Sequence, residues 1–444
     1  GLLHYLHAVG KLDYRYIEEY TDGFDEALTG AAEMTPAVVA GMTGLALPQL
    51  EQFYQLFAST EKVVTLYSQG INQSATGTDK CNLIINCHLA TGRLGRAGMG
   101  PFSITGQPNA MGGREVGGLA NQLAAHMGFD ASDVARVETF WNAPDIAREP
   151  GLKAVELFRA VETGDIRFLW IMATNPAVSL PDTTQVRRAL GNCEFVVVSD
   201  CVGDTDTAAY ADVLLPAMGW GERSGTVTNS ERCISRQRAL VPAMGEARPD
   251  WWIVTQVARR LGFGDAFDYQ HPAEIFTEHA QLSGFDNGGT RDFDISALAS
   301  LSEADYEQLQ PTYWPCPAAT AAAKPVVDGR FYTAGGLANF VAVAPALPRW
   351  TADTDGPLTL NTGRLRDQWH TMTRTGRVPK LMRHREFFSV SLSPADAQSH
   401  GVAEGDLVEV RAGSASIMAL VRIEDTVPQG QVFCPIHWSD QHSG

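Results

Sequence analysis

No two cysteines in this 444-residue chain stand in C-x-x-C spacing. The seven present, at 81, 87, 193, 201, 233, 316 and 434, are dispersed and odd in number. That excludes a zinc or iron–sulfur framework built from grouped thiolates. It fits reduced cytosolic thiols better than a disulfide scaffold. No apolar run approaches the ~20 residues of a membrane helix. Cationic residues are in deficit, with 34 Lys and Arg against 51 Asp and Glu and a net charge of -17. An acidic chain is poorly suited to nucleic acid, where affinity rests on phosphate neutralisation. No Gly-Lys-Ser/Thr closes a phosphate loop, and no G-x-G-x-x-G marks a dinucleotide turn. The remaining composition, 44% hydrophobic and 19% charged, is that of a globular chain long enough for about two to four domains.

Glycine, in contrast, is concentrated. The stretch from Thr91 to Gly118, TGRLGRAGMGPFSITGQPNAMGGREVGG, carries glycines at 92, 95, 98, 100, 106, 112, 113, 117 and 118. Arg93, Arg96, Thr105, Gln107, Asn109 and Arg114 lie among them. Glycine admits positive φ and close approach of the backbone to a ligand. The pattern suits a loop wrapped around a polar, anionic group; the competing reading is a long surface loop with ordinary turn glycines.

Around this stretch the chain alternates helical and strand patterns. Leu50, Phe53, Tyr54 and Phe57 keep helical spacing. Lys62 to Tyr67 reads as a strand, followed by a polar turn and a helix over Lys80 to Ala90. The C-terminal edge of such a strand is where α/β units bind ligands, which makes Gln69, Asn72 and Gln73 either binding residues or turn solvation. Helices are expected over Glu115 to His126, Gly151 to Val161 and Pro181 to Leu190. Ile166 to Met172, Glu194 to Ser199 and Asp212 to Leu215 read as buried strands of a parallel sheet. Two of these strands end in polar tips, Thr174–Asn175 and Ser199–Asp200. Asp200 suits ribose hydroxyls or a guanine edge, or else a helix N-cap. Gly219 to Arg232 reads as a polar loop with Arg223 available for phosphate. Asp250 is placed to cap the periodic helix that follows it. Residues 284 to 327 read as a surface excursion or linker without chemistry.

From Pro357 the pattern becomes short strands with glycine turns, suggesting a compact barrel. Within it, Thr362 to Arg385 is the one concentrated basic run. Buried phosphate or pyrophosphate explains such donors better than nucleic acid, because aromatic interleaving is confined to Trp369. A solvated basic face is the remaining alternative.

GPFSITGQPNAMGGREVGG resembles the pterin and substrate loop of the molybdenum bis-guanine-dinucleotide oxidoreductases, and is most like that of assimilatory nitrate reductase. The likeness continues in order through WIMATNPAVSLPD, VVVSDCVGDTDTAAYADVLLPAMGWGERSGTVTNSER and LNTGRLRDQWHTMTRTGR, covering essentially the whole chain. It implies two doubly wound parallel α/β domains followed by a C-terminal double-psi β-barrel, laid out as residues 1–107, 108–350 and 351–444. It implies a molybdenum bis(molybdopterin guanine dinucleotide) cofactor. By residue, the resemblance sets Gln69 and Gln73 beside one pterin dinucleotide, and Asn175, Ser199, Asp200, Arg223 and Asp250 around a guanosine. Thr362, Gly363, Arg364, Gln368, His370 and Thr371 run along the pterins. The resemblance also implies that Gln107 and Arg114 face the substrate, nitrate. Gln69 and RDQWHTMTRTG lean toward the assimilatory, cytoplasmic branch.

The resemblance further implies a [4Fe–4S] cluster and a molybdenum-ligating cysteine, both in segments outside these 444 residues, so that no metal ligand is expected within them. The termini look cut, and the chain alone is expected not to reduce nitrate. Expected partners are nitrate and an electron donor such as ferredoxin, flavodoxin or an NADH-linked flavoprotein subunit, with no nucleic acid and no membrane. A formate dehydrogenase of the same superfamily and a non-catalytic cofactor-binding scaffold are the competing readings.

Overall fold

The computed structural model describes residues 1–318, 329–344, 358–413 and 415–442. Contacts divide the chain into two units, each assembled from three separate segments. The first comprises Gly1–Gly151, Ser224–Arg238 and Asp265–Arg349; the second comprises Leu152–Arg223, Ala239–Gly264 and Trp350–Gly444. The expected domain boundary near Thr351 lies outside the described residues.

The first unit opens with helices. Leu47–Ser59 buries Leu50, Tyr54 and Phe57, while Phe53, which shares their spacing, stays exposed beside Tyr54. Val64–Tyr67 pairs in parallel with Gly100–Ser103, Val64 opposite Gly100 and Tyr67 opposite Ser103. The helix Gly77–Ala90 lies between them in the chain. Parallel strands need such a crossover, and it places the residues after each strand at one sheet edge. Gly92, Gly95 and Gly98 have positive φ and turn the chain between helix and strand.

Three expectations are corrected here. No helix spans Glu115 to His126. A short helix, Ala110–Glu115, precedes it, and Gly117, Ala125 and His126 at positive φ break any continuation. The polar stretch Gly219 to Arg232 contains a strand, Gly225–Thr228, antiparallel to Cys233–Gln237. Its β-branched GTVT run was masked by flanking glycine and polar residues. Residues 284 to 318 are not a surface excursion: Phe293, Ile295, Tyr306 and Trp314 are buried with Ala124, Met127, Val137 and Ile234 in the core of the unit. The Ala-rich remainder, residues 319–328, lies outside the described residues.

In the second unit, Phe168–Met172, Phe195–Asp200 and Val213–Pro216 form the expected parallel sheet. Helices Ala154–Glu162 and Thr183–Asn192 cover its core of Phe158, Val161, Ile171, Val186, Leu190 and Val198. The C-terminal part is a five-stranded sheet ordered Thr359–Gly363, Gln431–Pro435, Ser389–Leu392, Ala415–Ile423, Leu407–Ala412. The first two strands are parallel, as are the third and fourth, while the other neighbours are antiparallel. A hairpin meander cannot give this mixture, because each parallel pair needs a crossover connection. Pro394–His400 supplies one crossover helix, capped by Ser393 and ended by Gly401 at positive φ. The fold class is therefore the expected one, α/β with parallel sheets and a β-rich C-terminal part. Among the described residues no helix is long and apolar enough to cross a membrane.

Candidate functional site

The glycine-rich stretch resolves into three parts. Its first arginine does not face a ligand: Arg93 is buried, donates to the carbonyls of Phe57 and Glu61, and lies 4.5 Å from the Phe57 ring centroid. Its role is to close the end of the Leu47–Ser59 helix, where carbonyls lack intrahelical partners. Arg96 pairs with Asp13 at 3.5 Å. The strand Gly100–Ser103 follows, and then the exposed turn carrying Gln107, whose side chain is held by the Thr105 hydroxyl.

Arg114 lies in the last turn of the Ala110–Glu115 helix and is exposed. Its neighbour Glu115 is turned inward and buried, as adjacent positions on a helix diverge by about 100°. The Glu115 carboxylate accepts from the Thr228 hydroxyl at 2.8 Å and from the Trp314 indole N–H at 2.7 Å. Burial pushes the Glu115 pKa up, and those two hydrogen bonds oppose the shift. At the other end of the helix, Asn109 Oδ1 accepts from the Thr228 backbone N–H at 2.8 Å. Gly112 leaves the space that the Asn109 amide occupies, since a Cβ there would collide with it. Gln69 is half-buried in the short helix Gln69–Asn72 after the first strand, and its side chain bonds to Ser68; Gln73 is exposed just beyond. The first unit thus holds Gln69, Gln73, Gln107 and Arg114.

The second unit holds the other candidates. Asn175 is buried and accepts twice from Thr207, from its N–H at 3.1 Å and its hydroxyl at 2.6 Å, while its amide donates to the Thr371 hydroxyl at 3.1 Å. It ties the end of the first strand to the basic segment. The Ser199 hydroxyl is buried and accepts from the Trp170 indole at 2.9 Å. Asp200 caps no helix; it accepts from the Val202 N–H at 3.1 Å in a turn after the strand. That turn opens onto a cavity of about 460 Å³ lined by Asp200, Trp220, Glu222, Met244 and Arg374 among others, a volume within the ~300–1,000 Å³ usual for small-molecule sites.

Asp250 also departs from the capping expectation. Pro249 takes the N-cap position, and Asp250 has no side-chain cap bond. Its Oδ2 accepts from Arg223 Nη1 at 2.8 Å, and Arg223 lies over the Trp220 ring at 5.3 Å. Burial raises the Asp250 pKa, against the pull of Arg223. Its second oxygen, Oδ1, is buried without a hydrogen-bond partner. Such an orphaned acceptor is uncommon in native proteins. A guanine edge, with its ring N–H and exocyclic amine, would satisfy it. This unpaired acceptor therefore fits the N–H edge of a guanine nucleotide.

The basic segment leaves the strand Thr359–Gly363 at Arg364. Thr362, Arg364 and His370 are exposed, whereas Gln368 and Thr371 are buried. Gln368 Oε1 is a second buried acceptor without a partner. Part of the basic charge is internally paired: Arg366 with Asp367 at 2.9 Å, Arg385 with Glu424 at 3.0 Å, and Arg377 with Asp204. The segment is held by His437, which is fully buried. His437 Nε2 accepts from the Leu365 N–H at 2.7 Å, and Nδ1 donates to the His370 carbonyl at 2.7 Å. Only a neutral imidazole protonated at Nδ1 makes both bonds.

Glu115, Thr228, Glu222, Arg374 and His437 were not singled out from the sequence. Arg374 lay within the basic run, and Glu222 precedes Arg223. Nothing local marks the other three, because their partners are distant in the chain. Among the described residues no group of three or more His, Cys, Asp and Glu is placed to hold a metal ion, and all seven cysteines are free.

Residues 5–260 match the molybdopterin oxidoreductase family model, and residues 358–444 match the molydopterin dinucleotide binding domain. A nitrate reductase of Klebsiella oxytoca is 51% identical over 441 residues, covering 99% of this chain and 50% of the relative. A nitrate reductase of Shewanella frigidimarina is 45% identical, covering 100% of this chain and 50% of the relative. The chain thus spans about half the length of both. Among solved structures, acetylene hydratase from Pelobacter acetylenicus superposes with a TM-score of 0.71 at 16% identity, over 100% of this chain and 63% of that one. At that identity the likeness speaks for the fold alone.

Proposed function

Because the chain belongs to the molybdopterin oxidoreductase family and carries its dinucleotide-binding domain, we propose that it is the cofactor-binding and substrate-facing part of an assimilatory nitrate reductase. What supports the reading is likeness along the whole chain to two nitrate reductases, together with Arg114, an exposed guanidinium on the short helix after the glycine-rich loop. Nitrate is a small planar anion, and a guanidinium matches it with two parallel N–H donors. In this reading Arg114 orients nitrate and Gln107 lines the substrate-facing side. Reduction to nitrite takes up two electrons and two protons and releases water.

When bound, a molybdenum bis(molybdopterin guanine dinucleotide) supplies the two-electron oxygen-atom chemistry. Residues of this chain bind and orient it. Asp250 Oδ1 and Asp200 accept from a guanine edge, Arg223 and Arg374 face its phosphates, and Asn175 and Ser199 support that crevice. Thr362, Gly363, Arg364, Gln368, His370 and Thr371 run beside the pterins, with Gln69 and Gln73 serving one dinucleotide from the first unit. Residues 358–444, which match the dinucleotide binding domain, would carry these pterin contacts. In this reading a [4Fe–4S] cluster would supply the electrons, drawn from a ferredoxin, a flavodoxin or an NADH-linked flavoprotein. The cytoplasm is the compartment this donor set implies.

The deciding experiment is nitrite formation by the full-length protein with reduced viologen as donor, with molybdenum measured on the same sample. Nitrite with near-stoichiometric metal supports the assignment. Metal without nitrite keeps the cofactor and removes the substrate.

A further inference from the structure

We propose that Thr228 and Glu115 are positioning residues that clamp both ends of the helix carrying Arg114 and thereby set where its guanidinium stands. The inference rests on the reading of Arg114 as the residue that orients nitrate.

The helix Ala110–Glu115 has only six residues. A helix so short does not hold its conformation by its own hydrogen bonds. It contains Gly112 and Gly113, which weaken it further. Its order must come from outside, and the side chains at its two ends both lead to one residue. Thr228 is buried and ends the strand Gly225–Thr228. Its backbone N–H donates to Asn109 Oδ1 at the helix N-terminus, and its hydroxyl donates to Glu115 Oε2 at the C-terminus, each at 2.8 Å. Trp314 Nε1 fixes the other Glu115 oxygen at 2.7 Å, and the Glu115 carbonyl accepts from the Ala125 N–H at 2.7 Å. The Glu115 side chain is therefore satisfied on both oxygens and cannot swing. Arg114, one residue earlier, projects outward from a helix end whose inner neighbour is locked. Displacement of an orienting group by about 1 Å can cost a hundredfold in rate.

Thr228→Val keeps the shape and the backbone N–H but deletes the hydroxyl, leaving a buried carboxylate oxygen unpaired. Thr228→Ser restores the donor. In the full-length enzyme, Thr228→Val should raise the nitrate KM about fivefold, the scale of one lost buried hydrogen bond, with molybdenum content unchanged and Thr228→Ser close to wild type. In the cofactor-free protein, amide exchange over residues 110–117 should speed up in Thr228→Val and not in Thr228→Ser. Arg114→Ala is measured alongside. If it raises KM while Thr228→Val leaves both KM and exchange at wild-type values, the clamp is overturned and the Arg114 reading stands. If Arg114→Ala leaves KM unchanged, the Arg114 reading fails and the positioning role falls with it. A Thr228→Val enzyme that loses activity in proportion to lost molybdenum, at constant KM, also overturns the clamp.

Discussion

The Arg223 guanidinium donates to one oxygen of Asp250 at 2.8 Å, while the other oxygen of that carboxylate is buried with no partner. A half-buried carboxylate with one oxygen sealed off and unpaired is costly in isolation. It is a sensible arrangement if a ligand with N–H donors completes it. Asp250→Asn puts an amide in that place and weakens acceptance from a guanine edge. Cofactor retention, read as molybdenum per protein after gel filtration, should fall about tenfold in affinity, the scale of a charge-assisted hydrogen bond. Retention equal to wild type would remove Asp250 from the nucleotide site.

Replacing Arg114 separates charge from shape. Arg114→Ala should raise the nitrate KM or depress kcat/KM by at least about tenfold. Arg114→Lys should recover only part of this, because an ammonium cannot make the two parallel bonds of a guanidinium. Full recovery by Lys would show that charge alone is used.

Glu115 carries an opposite stability sign from a surface carboxylate. Its folded-state pKa is raised by burial, so the folded protein binds this proton more readily than the unfolded chain does. The group therefore favours folding at pH below its folded pKa and loses that advantage as pH rises through it. Glu115→Gln keeps an acceptor for Trp314 and a polar contact for Thr228 without a buried charge. Its melting temperature at neutral pH should equal or exceed wild type, and should gain less on acidification. A large loss at neutral pH would mean that the ionised carboxylate is itself the stabilising form.

Histidines give the reverse slope. Burial pushes His88 down to about 4 and His279 down to about 4, below the ordinary imidazole value. The unfolded chain takes up these protons first as pH falls, so stability present at neutral pH declines between about pH 6.5 and 4, by up to about 1.4 kcal/mol per pH unit per fully buried group. His279 stacks on Phe293 at 5.2 Å and has a buried Nε2 without a partner. His279→Phe should flatten the fall in urea midpoint between pH 7 and pH 5. An unchanged slope would place the acid sensitivity elsewhere.

For His437 the hydrogen-bond partners dictate one tautomer, since the Leu365 N–H can only donate and the His370 carbonyl can only accept. Nitrogen NMR of histidine-labelled protein at neutral pH should show a neutral imidazole carrying its proton on Nδ1. A protonated ring at that pH would mean that one of the two bonds is not made in solution.

Local pattern was enough for much of the α/β architecture. The strand runs IRFLWIM and EFVVVS announce a parallel sheet because β-branched and apolar residues fill both faces. The Gly77–Ala90 helix and the mainly β C-terminal part were equally plain. Where the reading failed, tertiary partners had overridden local preference. Glu115 to His126 looked helical by composition, yet Gly117 and two residues at positive φ redirect the chain so that Ala125 can meet the Glu115 carbonyl. Residues 284 to 318 looked like linker because their buried residues, Phe293, Ile295, Tyr306 and Trp314, are spaced by polar turns. Motif likeness pointed to Gln107 and Arg114, but Thr228 and His437 were invisible. Each acts through a partner dozens of residues away or more, and no spacing rule reaches that far.

That distance also sets a timetable for synthesis. Glu115 and Trp314 are 199 residues apart in the chain, and ribosomes add about 5–20 residues per second. On the order of ten to forty seconds therefore separate the emergence of the glycine-rich loop from that of its supporting indole. Until residue 314 emerges, Ala124, Met127 and Val137 lack the full aromatic set, Phe276, Phe293, Tyr306 and Trp314, that shares their finished core. Slowed translation between residues 115 and 314 should therefore depress soluble yield more than an equal pause after residue 314.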